Sequence, residues 1–158
     1  MERTPQTLVI DASTVAKWFL QEEDSDKALR LRDAHIEGMV ELTAPDLIVY
    51  EVANALNYNP RVSNEQLTGR IQDLFDYDLD IVPPSPEYSA RTVRTARELS
   101  VSVYDASYVA LSDILATNLV TADRKLHDKI SKKRQSYLLR EIGRTWNIPG
   151  NNSEQGSP

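Results

Sequence analysis

The chain has no cysteine among its 158 residues. That excludes a disulfide framework, a thiolate zinc site and a cysteine nucleophile, and it agrees with a reducing compartment, so a cytoplasmic location is expected. Histidine is nearly as scarce: two residues, His35 and His127, are too few for a histidine-rich metal centre. Long apolar runs are missing too. The first one, "TLVI", stops at Asp11, which leaves neither the hydrophobic region of a signal peptide nor a membrane-spanning stretch. Positive charge is in deficit, with 18 Lys and Arg against 24 Asp and Glu and a net charge of −6. Taken alone, that balance speaks against a broad electropositive surface for a polyanion. It does not speak against a local one, because carboxylates gathered around a bound cation reverse the sign of their own site. Carboxylates are therefore the chemical resource to follow.

What is present is enough for a core. Hydrophobic residues make up 41% of a chain of single-domain length. "TLVID" reads as a strand buried on both faces and runs directly into "ASTVAKWFLQEE", a helix with Val15, Trp18 and Phe19 on one face. "DSDKALRLRDAHIEGM" carries Ala28, Leu29, Leu31, Ile36 and Met39 at roughly helical spacing and stops near Gly38. "ELTA" is a short strand. "PDLIVYEVANALNYN" is a helix opening on Pro45, a residue tolerated in a first turn. Ser63 or Asn64 caps a further helix with Leu67, Ile71, Leu74 and Phe75 on its apolar face. "LDIVPPSP" is a strand closed by prolines, residues 87–99 an amphipathic helix, 106–116 a more apolar one, and "NLVTAD" a strand and turn. "QSYLLREIG" fits a last strand or a short helix. Alternating strands and helices predict an α/β three-layer α/β/α sandwich with a mainly parallel central sheet, one domain over 1–148 and a disordered tail over 149–158.

Asp11 and Asp123 both fall just past strand ends, where open parallel sheets place their ligand crevice. Each also has a plain explanation as a helix cap, Asp11 accepting the amide of Ser13 or Thr14, and Asp105 in "VYDASYVAL" has the same explanation. Glu51 is harder to explain as scaffolding. It lies mid-helix among Ile48, Val49, Tyr50, Val52 and Ala53, with Asn54 three residues on. It is either a lone solvated glutamate or a half-buried carboxylate that needs a partner, for which a cation would serve. Hard divalent cations take oxygen ligands and activate water for attack on phosphorus, a reaction that requires neither Cys nor His.

"VIDASTVAKW", "YEVANAL", "VYDASYVAL" and "VTADRKL", in this order and at these separations, closely resemble the four acidic motifs of the PIN-domain nucleases, above all the VapC-type toxins of toxin–antitoxin systems. The resemblance covers about residues 7–145 and is less clear beyond Ile130. It implies a sandwich in which Asp11, Glu51, Asp105 and Asp123 hold Mg²⁺ or Mn²⁺ and hydrolyse RNA phosphodiesters, with Thr121 as the hydroxyl residue before the last aspartate and Ser13 and Asn54 as polar neighbours. It further implies a homodimer and a cognate antitoxin protein. The basic stretch after Asp123, with Arg124, Lys125, Lys129, Lys132, Lys133 and Arg134, is either a solvated surface or a contact for RNA phosphates, Arg124, Lys125 and Lys129 being the candidates nearest the acidic motif. His127 is expected on the surface rather than in catalysis. The competing reading is a catalytically silent PIN-like module that binds RNA or a protein.

Overall fold

The computed structural model describes residues 4–150, so the N-terminal residues 1–3 and residues 151–158 of the expected tail lie outside the described part. Among the described residues, five parallel strands form one sheet in the order β3-β2-β1-β4-β5, and seven α-helices cover its faces. The strands are β1 Gln6–Ile10, β2 Val40–Pro45, β3 Asp80–Val82, β4 Leu119–Thr121 and β5 Ser136–Leu138. The helices are α1 Ala12–Val15, α2 Ser25–Ile36, α3 Leu47–Asn57, α4 Asn64–Asp76, α5 Pro86–Leu99, α6 Val103–Ile114 and α7 Arg124–Ile130. The expected three-layer sandwich with a parallel sheet is the fold that forms.

Central β1 is apolar on both faces because both are covered: Leu8, Val9 and Ile10 are all buried. It pairs with β2 through Val9 and Thr43 and with β4 through Ile10 and Val120. Helix α6 packs against α5 and lies across β1, β2 and β4. Its Ala106, Val109 and Ala110 are fully buried, which explains its apolar, small-residue sequence. The chain leaves β1 toward β2 on one side and returns through α5 and α6 to β4 on the other, so the sheet's switch point falls between β1 and β4.

Several boundaries differ from the sequence reading. The first helix ends early: after a 3₁₀ turn at Ala16–Trp18, the Trp18 indole donates to the Ala28 carbonyl at 2.8 Å and Ser25 folds the loop by donating to the Leu20 carbonyl at 2.7 Å. Pro45 closes β2 rather than opening α3, because pairing continues to Val82 and the Asp46 amide still donates to the Val82 carbonyl at 3.1 Å. Helix α2 buries Ala28, Leu31 and Ala34, a phase that leaves Ile36 57% exposed. In α4, Leu74 is buried, Leu67 and Ile71 pack beside the core, and Phe75 falls off that stripe and is 57% exposed. Ser63 caps α4 in a reciprocal box with Gln66. "QSYLLREIG" contains both expected alternatives, β5 followed by a 3₁₀ turn at Leu139–Glu141. Gly38, at φ 76, terminates α2 in the left-handed conformation that a side chain would resist.

Candidate active site

Asp11 leaves the end of β1 and is 5% exposed. Its carboxylate is the hub of a network. Oδ1 accepts from the Ser13 hydroxyl at 2.7 Å, the Thr14 amide at 3.1 Å and the Thr14 hydroxyl at 3.2 Å. Oδ2 accepts from the Thr121 hydroxyl at 2.5 Å. Asp11 is thus the N-cap of α1, on the Thr14 amide as expected, and it keeps one oxygen less engaged than the other. Burial pushes its pKa up to about 6, against the pull of Thr121, Ser13 and Thr14.

The end of β4 is stitched to the same group. The Thr121 hydroxyl accepts the Asp123 amide at 3.0 Å, and the Ser13 hydroxyl accepts the Ala122 amide at 3.0 Å. Asp123 is exposed and caps α7 through the Leu126 amide at 3.1 Å. Two of the three expected caps therefore exist. The third does not: Ser102 caps α6 by accepting the Asp105 amide at 3.0 Å. With the helix beginning at Val103 rather than at residue 106, Asp105 sits in its first turn and its carboxylate is released from capping.

Glu51 projects from α3 half-buried, and its Oε1 accepts the Tyr108 hydroxyl at 2.7 Å. Burial raises its pKa, Tyr108 partly offsets this, and the charge of Asp105 raises it further. Asp105 is raised by burial and then by Asp123, with Ser102 and the Lys129 ammonium pulling the other way. Glu51, Asp105 and Asp123 thus stand within electrostatic reach of one another. An open crevice above the sheet is lined by Ala12, Ser13, Lys17, Glu51, Ala55 and Asp123. Asn54 is exposed and absent from this lining, since the residue one turn after Glu51 that faces the crevice is Ala55.

The comparisons with known proteins bear on this arrangement. The PIN domain matches residues 8–133, most of the chain and all four acidic motifs. The chain belongs to the PIN-domain family. Ribonuclease VapC3 of Pyrobaculum aerophilum is 32% identical over 126 residues, 77% of this chain and 93% of that protein. The solved structure of PAE2754 from the same organism superimposes with a TM-score of 0.60 at 25% identity, covering 85% of each chain. VapC20 of Mycobacterium tuberculosis, described as a sarcin-ricin loop cleaving toxin, superimposes with a TM-score of 0.60 over 80% of this chain and 95% of its own at 13% identity. That last likeness is one of fold.

In this PIN domain the four acidic residues come from four elements and offer only oxygen, the donor type that hard divalent cations take. Among the described residues no three acidic or histidine side chains stand close enough to chelate one ion together. The donor chemistry fits a divalent cation that retains part of its water shell, as Mg²⁺ does. The basic stretch divides in two. Arg124 and Lys125 are exposed at the start of α7, and the Lys129 ammonium bears on Asp105. Arg134 is committed elsewhere, to Asp113 at 2.9 Å and Glu98 at 3.1 Å. His127 is half-buried and 2.7 Å from the Ser136 hydroxyl, joining α7 to β5 instead of standing in solvent. Tyr108 was not singled out by the sequence, although its position three residues after Asp105 places both on one face of α6.

Proposed function

We propose that this PIN domain is an endoribonuclease that hydrolyses RNA phosphodiester bonds, the toxin of a toxin–antitoxin pair, using Mg²⁺ or Mn²⁺ held by Asp11, Glu51, Asp105 and Asp123. The observation that carries this reading is the set of half-buried Glu51 and Asp105 together with the buried Asp11 carboxylate, Glu51 and Asp105 being raised first by burial and further by the charges of Asp105 and Asp123 respectively. Carboxylates gathered at a cost to the fold, with the Lys129 ammonium only partly offsetting the shift of one of them, are a mark of function. The 32% identity to a protein named a ribonuclease points to the reaction class.

A bound divalent cation would supply an activated water and neutralise charge on the leaving oxygen. The chain's own residues prepare that chemistry. Asp11 is immobilised by four donors from Ser13, Thr14 and Thr121, so it is preorganised. Thr121 orients Asp11 and, through the Asp123 amide, the start of α7. Arg124 and Lys125 contact phosphates flanking the scissile bond, and the Lys129 ammonium offsets a small part of the upward shift of Asp105. The protein acts in the cytoplasm, with a homodimeric assembly and an antitoxin as protein partners.

The second reading is a module that binds RNA without cutting it, and what favours it is that no three acidic side chains among the described residues stand close enough to chelate one ion together. One experiment separates the two. Purified protein free of antitoxin is incubated with a mixed RNA pool in Mn²⁺, Mg²⁺ or EDTA, beside an Asp11→Asn preparation made identically. Cleavage that needs the cation and is lost in the variant supports the nuclease. RNA retention without cleavage, and without heat on cation titration, supports the binding module.

A further inference from the structure

The hydroxyl of Tyr108 is the hydrogen-bond donor to the Glu51 side chain, at 2.7 Å from Oε1. Tyr108 is 2% exposed and its ring belongs to the hydrophobic core. A buried aromatic ring has two side-chain torsions and both are fixed by packing, whereas a half-buried glutamate on a helix surface has three and is free to swing toward water. The contact joins a rigid donor to a mobile acceptor. Its geometry also divides the carboxylate: Oε1 is tied to the core, and Oε2, which has no hydrogen-bond partner among the described residues, belongs to a residue lining the crevice. Tyr108 rides one turn after Asp105 on α6, so this single helix presents one acidic residue directly and holds a second, from α3, by its side chain. The electrostatic field of Asp11 reaches the same hydroxyl. Tyr108 is therefore bonded to Glu51, shares a helix face with Asp105 and feels the charge of Asp11.

We infer that Tyr108 is a positioning residue for the cation site, fixing Glu51 Oε1 from the core so that Oε2 is presented to the crevice. The inference rests on the cation-dependent reading above. Groups that orient a metal-binding carboxylate change metal affinity or activity by roughly 10- to 100-fold when removed.

The test is a double-mutant cycle read by Mn²⁺ titration calorimetry on the full chain: wild type, Tyr108→Phe, Glu51→Ala and the pair, with Asp11→Asn as a control. Phenylalanine keeps the ring and removes only the hydroxyl, and thermal melting of each variant checks the fold. The expected result is a Tyr108→Phe affinity for Mn²⁺ lowered by about 10-fold or more, no further loss when the change is made on Glu51→Ala, and an RNA cleavage rate that falls in kcat with KM unchanged. Wild-type affinity in Tyr108→Phe, or losses that add in the double variant, overturns the positioning role. Equal Mn²⁺ binding by wild type and Asp11→Asn overturns the cation-site reading itself, and the role of Tyr108 falls with it.

Discussion

The Thr121 hydroxyl donates to Asp11 Oδ2 at 2.5 Å. The Thr121 hydroxyl oxygen in turn accepts the Asp123 amide at 3.0 Å, so one side chain at the end of β4 couples the first acidic motif to the last. This geometry explains why the position two residues before the final aspartate carries a hydroxyl: it must donate and accept at once, inside a site where Thr121 is fully buried. Thr121→Val keeps the shape and leaves Asp11 Oδ2 and the Asp123 amide without their partner. The variant is expected to lose about 1–3 kcal/mol of stability and most of its cleavage, whereas Thr121→Ser keeps both bonds and most activity. Chemical denaturation and RNA cleavage on the pair check this, and equal activity in the valine variant would sink it.

Asp11 imposes a pH dependence whose sign follows from burial. Its pKa rises from 3.8 to about 6 on folding, so the native state holds this proton more tightly than the unfolded chain does. The stabilisation is complete below the unfolded value near 3.8 and is lost as pH rises through about 6. At neutral pH without a cation, the ionised buried carboxylate costs on the order of 3 kcal/mol relative to acid conditions. The stability of Asp11→Asn minus that of wild type, measured in EDTA, should therefore increase between pH 4 and pH 7. A difference that stays flat across that window would contradict the burial argument.

Cation binding should compete with the same proton. With the Asp11 pKa near 6 and Glu51 and Asp105 also raised, Mn²⁺ affinity is expected to drop by about tenfold or more between pH 7 and pH 5, because ligands must be deprotonated. Calorimetric titration at both values measures it directly. Pairing with the cation would also offset the repulsion, so saturating Mn²⁺ should raise the melting temperature of wild type and not that of Asp11→Asn.

The charge at the start of α7 predicts a salt effect. Replacing Arg124 and Lys125 with alanine, in an Asp11→Asn background that cannot cut, should weaken RNA binding at low salt and reduce the dependence of affinity on salt concentration by about two phosphate contacts. An unchanged slope would return both residues to the solvated surface. Arg134 serves as the internal contrast: its removal breaks the pairs with Asp113 and Glu98 and should affect stability rather than the slope.

The fold was legible because β1, with Leu8, Val9 and Ile10, is apolar without alternation, a pattern that only a sheet covered on both faces explains. The acidic motifs were legible as positions at strand ends and helix starts. Their bonding was less so. Asp11 is at once a helix cap and the network's centre, two roles that sequence reasoning set against each other although one carboxylate has lone pairs for both. The alternative of Asp105 as a cap falls because Ser102, three residues earlier, takes that place. Tyr108 escaped notice because a tyrosine inside an apolar helix reads as core, which its ring is; the hydroxyl's partner on α3 is a tertiary fact. Pro45 misled because its tolerance in a first turn is a permission, and pairing with Val82 claimed it for β2.

The central claim is that half-buried Asp105, free of capping and repelled by Asp123, is kept for chemistry rather than for folding. The direct measurement is metal-dependent RNA cleavage by Asp105→Asn set beside its melting curve. Cleavage abolished, with a melting temperature in EDTA equal to or above that of wild type, is the predicted result. Cleavage retained at the wild-type rate, or lost only together with the fold, would contradict it.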